Sequence, residues 1–558
     1  MKPDFEQTDR KRLLLVAILS AGVLWVGNYF FPTQPKKPFV QPQQIEVVAE
    51  QVNTSTQPDT ESTKQETTIT ETVIDNAMPE QHIIIQNDSL SATLNVQSGQ
   101  MNDVRLLKYK ETLDKNSPAV TLLSDAYYTQ TRWTSPDAKI PTLTATQDYA
   151  TLSPQTPVII NGQNESLKWE RKLSVDNDYL TTTTDTFTNV TDKPIRITFT
   201  GEVVRQLDKM PATSVVHEGF IAVLKDRLIE EEYADIKKES YSDKAKGGWL
   251  GFTDKYWQTA LILDEREQGT VQFEHQEPNL YTATFTGKEV TIPAGGSYTR
   301  TGRTFTGAKD INLLTKYENE YNIPKFDLTI DFGWFYVFTK PFLYLLNFLY
   351  DILGNMGIAI LVFATLIRLL LLPIATKSYA SMATMRKIQP KMQQLQERYK
   401  DDRARLQIEM MNLYKREKVN PASGCLPLFL QIPVFYALYK VLSVSINMRQ
   451  APFYGWINDL SMPDPSSVFT AFGYLDWPIP AFLNLGVLPI LMGITMYVQQ
   501  KLNPAPADPT QAKMMKWFPI VFTFMLGGFA AGLVLYWTWS NILSIAQQKY
   551  IMKKVGVK

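Results

Sequence analysis

Arg368 is the single charged residue in an apolar stretch, GIAILVFATLIRLLLLPIAT, spanning residues 357–376. No Asp or Glu accompanies it there. Roughly nine residues, or about 13 Å of helix, separate it from Lys377 at the polar end. A hydrocarbon core of about 30 Å then places the guanidinium near mid-depth. An arginine at that depth costs at least about 2.5–3.5 kcal/mol, and it is tolerated where it faces a protein interior or a wet cavity. The chemistry it offers there is a fixed positive potential and a planar fork of donors, which favour acidic or polar groups. The plainer alternative is a structural arginine paired to another helix or snorkelling to a headgroup.

Little else in the chain suggests reaction chemistry. His82, His217 and His275 are far apart and lack metal-ligand spacing. FEHQE sets His275 beside Glu274 and Glu277, but an exposed polar turn accounts for it and no second partner is evident. The one cysteine, Cys425, excludes an intramolecular disulfide framework. There is no GxxxxGK[ST] loop and hence no evident nucleotide motor. Lys and Arg total 56 against 56 Asp and Glu, a balance that argues against direct nucleic-acid binding. The expectation is a non-enzyme with no catalytic residues, no metal and no cofactor.

The 558 residues suggest several domains. Residues 1–12 carry Lys2, Arg10, Lys11 and Arg12 and read as a cytoplasmic tail. Residues 13–31 are apolar without a small-x-small cleavage site, and read as an uncleaved first span. Residues 32–80 form a solvated linker rich in Pro, Gln, Thr and Glu. Residues 81–320 alternate: Leu90, Ala92, Leu94 and Val96 share one strand face, with Ser98-Gly99 as a turn. Leu180–Val190 is a threonine-rich strand, turned by Asp192-Lys193-Pro194, with Ile195–Thr200 returning; Asn279–Phe285 and Val290–Ile292 repeat the theme. Many short strands predict a large β-sandwich closed by a helix over Asp310–Tyr321.

Residues 332–353 are aromatic and apolar but cut by Lys340-Pro341, predicting a short amphipathic helix in the membrane interface. After the span at 357–376, residues 377–423 are basic, with eleven Lys/Arg against five Asp/Glu. Tyr379, Met382, Met385, Ile388, Met392, Leu395 and Tyr399 recur at helical spacing, Asp401-Asp402 marks a turn, and Met410, Leu413 and Tyr414 continue the stripe. This predicts a cytoplasmic helical hairpin with a methionine-rich seam. Ordinary packing explains the buried side; Met382, Met385, Met392 and Met410 would also suit adaptable contact with apolar segments if exposed. Further spans are expected at 424–446, 482–500, 516–531 and 532–551, the last two split at Gly527-Gly528 and Gly532. Loops fall at 447–481 and 501–515, with a tail at 552–558. Six spans place every basic cluster on the side of residues 1–12, with both termini cytoplasmic and the β-domain outside.

The C-terminal half resembles the YidC/Oxa/Alb family of membrane protein insertases, in its Gram-negative form. The resemblance rests on TLIRLLLLP around Arg368, SYASMATMRKIQPKMQQLQERY (378–399), EKVNPASGCLPLFLQIPVFYALY (417–439), RQAPFYGWINDLS (449–461) and GLVLYWTWSNILSIAQQ (532–548). GGWLGFTDKYWQTALI (247–262) resembles part of the family's outer domain. The resemblance implies a multi-domain inner-membrane protein: a six-helix transmembrane bundle with a cytoplasmic hairpin and a large periplasmic β-supersandwich. It implies insertion and chaperoning of nascent inner-membrane proteins through a polar groove, alone or with the Sec translocon. The ribosome, the signal recognition particle receptor and membrane lipids are the further implied partners. Arg368 matches the family's groove arginine; Gln431 and the Tyr536, Trp537 and Ser540 face match its lining. Thr365 stands one helical position from the usual groove threonine, and Trp537 replaces a second tyrosine.

Two rivals are weaker. A secondary transporter of an anionic solute would be expected to show internal repeats and midplane carboxylates, yet no Asp or Glu lies inside any predicted span. An anchored envelope enzyme would need a convergent His/carboxylate site in the β-domain, and the sequence offers none.

Overall fold

The computed structural model describes residues 80–211, 216–400, 402–417, 419, 426–470, 472, 475, 485–503 and 509–556. The expected tail, first span and linker at 1–79 fall outside the described residues, as does Cys425. Met78–Lys558 form one unit of contacts containing both the strands and the helices described below.

The alternation around residue 90 becomes β2 (Leu90–Asn95), with Leu90, Ala92 and Leu94 buried. Gly99, at φ +67°, turns the chain into β3 (Gln100–Lys110). Three carbonyl or side-chain atoms of Thr131 and Arg171 lie where its Cβ would be, so glycine also provides room. One run of the ladder starts at β6 (Ala150–Leu152) and passes through β1 (His82–Gln86), β2 and β3. It continues through β5 (Tyr127–Thr134), β10 (Ile195–Gln206) and β15 (Leu280–Gly287) to β14 (Trp257–Gln276). A second run comprises β7 (Val158–Gln163), β8 (Leu167–Val175), β9 (Leu180–Asn189) and β17 (Ser297–Ala308), and reaches the other end of β14. Four further strands extend these runs: β4 (Ala119–Thr121) on β3, β16 (Val290–Ile292) on β10, β11 (Gly219–Leu224) on β13 (Tyr241–Thr253), and β12 (Arg227–Glu231) on β11.

The β13–β14 hairpin carries the ladder from one run into the other, slipping register between Lys246 and Gly248. The runs fold face to face: Trp133 of β5 meets Phe187 of β9 edge-on at 5.0 Å and Tyr298 of β17 at 6.1 Å. One expectation fails here. Asp192-Lys193-Pro194 does turn the chain, but β10 does not return beside β9; β9 pairs with β8 and β17, and β10 with β5, β15 and β16. Asn189 explains the departure. Its Nδ2 donates to the carbonyls of Lys193 (2.7 Å) and Ile292 (3.1 Å), which fastens the turn and sends the chain into the other layer.

Charges are buried in this core with their partners. Arg171 Nε donates to Asp185 at 2.7 Å, with exposures of 2% and 1%. The indole N–H groups of Trp133 and Trp169 also donate to Asp185, each at 2.9 Å. Burial pushes the Asp185 carboxyl up, but Arg171 and the two indoles outweigh it and hold it below the usual range. Lys309 has a weaker arrangement: its Nζ donates to Thr253 Oγ1 at 3.0 Å. Burial brings its ammonium down to about 8, only partly offset by the fields of Asp254, Asp331, Glu218 and Glu230. Near the end of the β-region, Asp310 caps α2 (Ile311–Tyr321) through the N–H groups of Asn312 and Leu313; the earlier α1 (Tyr233–Ile236) is a single turn.

The helices follow. Lys340-Pro341 does not cut the next element: α3 runs over Tyr336–Leu353 with Pro341 inside. Pro341 sits close to the helix start, Thr339 Oγ1 donates back to the Phe335 carbonyl, and Lys340 pairs with Asp327 at 2.7 Å. Leu343, Leu346 and Leu349 are buried while Val337, Phe348 and Ile352 are exposed, so the helix is two-faced. The expected continuous span at 357–376 is also corrected. It breaks at Leu371 into α4 (Met356–Leu370) and α5 (Leu372–Arg398), bent by 69°. Pro373 is the cause: it has no N–H to continue the α4 ladder and is well placed in the first turn of a new helix. Arg368 therefore occupies the last turn of α4, where free carbonyls favour a cation.

Asp402 caps α6 (Arg403–Arg416), which packs against α5. Then come α7 (Leu426–Val444), α8 (Val487–Leu502), α9 (Pro509–Leu526) and α10 (Ala531–Val555). Gly527 and Gly528 fall in the break between the last two; Gly532 instead lies inside α10, where a Cβ would strike Met448. Among the described residues no single helix is long and apolar enough to cross a membrane alone; the bent α4–α5 pair passes that test together.

Lys309 supports a pH prediction. Between pH about 8 and its ordinary value near 10.5 the unfolded chain holds a proton that the folded chain has released. Stability should therefore rise with pH across that window, by roughly 3 kcal/mol. Thermal unfolding of wild type and Lys309→Met, followed by tryptophan fluorescence, checks it: the pH-dependent rise should be smaller in the variant by about that amount.

Candidate functional site

The only cation of α4 lies at its bent end, and three polar contacts between helices surround that end. Arg368 Nη2 donates to Tyr379 Oη of α5 at 3.2 Å. Gln431 Nε2 of α7 donates to Tyr536 Oη of α10 at 2.7 Å. Trp539 Nε1 of α10 donates to Thr365 Oγ1 of α4 at 3.0 Å, and Thr365 in turn donates to the Leu361 carbonyl at 2.8 Å. Three apolar helices, α4, α7 and α10, and the start of the polar α5 thus share one polar seam. Each contact satisfies groups that would be expensive to leave bare among apolar neighbours.

The seam is not fully satisfied. Arg368 Nε is buried and has no acceptor among the described residues. Its one side-chain partner there is a neutral phenol. The positive charge is therefore oriented but not neutralised, and a donor remains for water or a passing polar group.

The sequence-derived lining divides in two. Arg368, Thr365, Gln431 and Tyr536 come together in these contacts. Trp537 does not: its ring packs at 4.5 Å against Phe435 and 6.1 Å against Phe522, on the side of α10 facing α7 and α9. Tyr536 and Trp537 point about 100° apart and meet α7 at Gln431 and at Phe435 one turn on, so the first contact is polar and the second apolar. Ser540, one turn beyond Tyr536, is half-buried and accepts a bond from Ser544 through its carbonyl.

Two partners were missed, Tyr379 and Trp539. Trp539 is three residues from Tyr536, so helical spacing alone would have found it. Tyr379 also belongs to the helical stripe of the hairpin, and its spacing alone does not separate the two roles. A second missed feature is the stripe Asn541, Ser544 and Gln548, all buried. Asn541 Nδ2 donates to Thr495 Oγ1 of α8 at 3.1 Å, and Gln548 Nε2 to the Leu502 carbonyl at 3.0 Å.

The methionines are also corrected as exposed contacts. Met385, Met392 and Met410 are buried together with Ile388 and Leu413 in the hairpin seam. Met382 is buried with Ala375, Tyr379 and Ile551. Spacing of three, four and seven residues places them between helices. The free outer face of α6 instead carries Ile408 and Met411.

Two family models match the chain: the 60Kd inner membrane protein over residues 348–558, and the YidC periplasmic domain over residues 82–345. The membrane protein insertase YidC of Brucella suis biovar 1 (strain 1330) is 45% identical over 495 residues, covering 85% of this chain and 81% of that protein. The chain belongs to the YidC family of membrane protein insertases. The YidC insertase of Rickettsia bellii (strain OSU 85-389) is 41% identical over 557 residues, covering 97% of this chain and 98% of that protein. A solved structure described as an active YidC insertase with its first transmembrane domain resolved aligns at 17% identity over 84% of this chain and 92% of that chain, with a TM-score of 0.36. This YidC-family chain is thus an inner-membrane insertase, not an enzyme, and its β-rich part is the periplasmic domain. The transporter reading is not favoured.

The Gln431–Tyr536 contact is testable by a double-mutant cycle. Gln431→Leu and Tyr536→Phe should be coupled by about 0.6–1.7 kcal/mol in unfolding from mixed micelles, the range for hydrogen bonds between membrane helices. Additive effects would mean the bond contributes nothing.

Proposed function

We propose that this insertase passes the polar tail of a nascent membrane protein along the seam between α4, α5, α7 and α10, and releases the client's apolar helix to lipid. The observation that carries this reading is the half-buried Arg368 guanidinium, which has a phenol as its side-chain partner and, among the described residues, no acceptor for its buried Nε. A polar, hydrated path shortens the dry distance a tail must cross, and the fixed positive charge favours acidic or neutral tails. Burial of the client's apolar helix supplies about 25 cal/mol per Å², so the scheme needs no nucleotide. The exposed apolar face of α9, with Trp517, Phe518, Ile520 and Val521, is suited to lipid or to a departing client helix. The Sec translocon, the ribosome and the signal recognition particle receptor are the proposed partners, with the basic α5–α6 hairpin on their side of the membrane.

The topology proposed with it has six spans: 13–31, 357–376 as the bent α4–α5 segment, 424–446, 482–500, 516–531 and 532–551. Both termini are then cytoplasmic. The distribution of Lys and Arg supports it. In a Cys425→Ser background, cysteines at Leu113 and Tyr454, both exposed, should react with an impermeant thiol reagent added outside. One at Ile408, also exposed, should react only after the membrane is opened. Labelling of position 408 from outside would discard the arrangement.

Arg368 gives the functional test. Arg368→Ala should leave abundance intact, because it removes a charge that is costly to bury, yet slow insertion of a client with an acidic N-terminal tail roughly tenfold or more. Arg368→Lys keeps the charge and should be milder. The same client with a neutral tail should be much less affected. Equal defects for both tails, read in reconstituted vesicles, would reduce Arg368 to a structural or hydrating role.

A further inference from the structure

A second cation lies within an apolar helix, and its arrangement differs from that of Arg368. Lys440 of α7 is 4% exposed. Its Nζ donates to Asp331 Oδ2 at 2.7 Å. Asp331 belongs to the short connection between the β-domain and α3, and it takes two more donors. The His217 N–H, next to β11, donates to Oδ2 at 3.0 Å, and the Gly333 N–H donates to Oδ1 at 2.9 Å. One carboxylate therefore ties together the β-domain, the connection and α7. Burial pushes its carboxyl up, but Lys440 and the two N–H donors outweigh that and hold it below the usual range. It stays charged at neutral pH.

The surroundings are shaped around this joint. Gly333 has φ +69°, and a Cβ there would lie 2.9 Å from Tyr436 Oη and 3.3 Å from the Lys440 side chain. Trp334 and Phe335 pack on Tyr436 at 5.4 and 6.3 Å. Just beyond α7, Arg449 Nη2 donates to the Lys110 and Glu111 carbonyls of the β3 end, and its guanidinium lies 5.4 Å from the Trp257 ring centroid. The chain at and just beyond the outer end of α7 is thus held at two places, by Asp331 of the connection and by the end of β3. Gln431 lies nine residues from Lys440, about 13 Å along the same helix.

We propose that Asp331 is a positioning residue for the seam: by gripping Lys440 it fixes the placement of α7 and so keeps Gln431 in register with Tyr536. The activity arm of the test rests on the groove reading above; the distance arm does not.

The experiment uses the full-length protein in lipid vesicles with Cys425→Ser. Spin labels at Ile432 on α7 and Ile542 on α10, both exposed, report the spacing of the two helices. Asp331→Asn and Lys440→Met should each shift or broaden that distance distribution, and slow client insertion roughly three- to tenfold at equal abundance. The double variant should be no worse than the worse single, because both act through one joint. Lys440→Arg keeps the cation and should retain most of the activity and the parental distribution. If Lys440→Met fails to accumulate, the near-isosteric Asp331→Asn reads the same joint alone. A parental distribution in Asp331→Asn overturns the proposal, whatever happens to activity. Equal damage from Lys440→Arg and Lys440→Met overturns it as well. A changed distribution with normal insertion upholds the positioning role and counts against the groove reading instead.

Discussion

A cation among apolar helices needs either an anion or something else that substitutes for water, and Lys440 and Arg368 illustrate the two solutions. Lys440 is given a carboxylate, Asp331, which is itself held by two backbone N–H groups. Among the described residues Arg368 has the Tyr379 phenol, the favourable end of α4 and an unfilled donor at Nε. Removing one partner of a buried ion pair typically costs about 3–5 kcal/mol, so the first arrangement is suited to holding parts in place. The second leaves interaction energy available to whatever arrives. On the proposed reading, a fastener and a working surface differ here by a single carboxylate.

Much of this was legible in the chain itself. The alternation at Leu90–Leu94 became a strand because burying every second side chain on one face is the way such a pattern satisfies both core and solvent. Arg368 was conspicuous because a charge in an apolar run needs a reason. The break near Gly527-Gly528 followed from length and from glycine's poor helix propensity. What the sequence misdirected was proline. Pro341 was expected to cut a helix and sits inside one, near its start, where few backbone bonds depend on it. Pro373 was passed over inside a presumed continuous span and lies at a 69° bend. The same residue type breaks or tolerates a helix according to how many turns precede it and what packs beside it.

Contacts between distant segments were the other hidden part. Nothing local pairs Tyr379 with Arg368, or Asp331 with Lys440, 109 residues away. Asn189 redirects β10 through bonds to carbonyls on both sides of a layer boundary. Trp537 is a different case. The resemblance groups it with Tyr536, but its ring neighbours, Phe435 and Phe522, are apolar and come from two other helices. For the methionines, spacing identified the stripe correctly, and their burial in the hairpin seam decided between packing and a free surface.

The pairing of β9 with β17 bears on how the outer domain survives its own synthesis. Thr188 and Ser297, opposite each other in that ladder, are 109 residues apart in sequence. At translation rates of about 5–20 residues per second, β9 waits roughly 5–20 s before that partner exists. β9 already has β8 on one side, but its other edge, left open, invites association with other chains. This strand reads LTTTTDTFTN. Thr184, Thr186 and Thr188 of β9 end up bonding hydroxyl to hydroxyl with Thr301, Thr299 and Ser297 across the ladder. Before that partner arrives, the same hydroxyls are solvated by water. A strand rich in valine or isoleucine would have comparable β propensity but a stickier interval. The threonine row is therefore read as protection during a delay that the topology imposes.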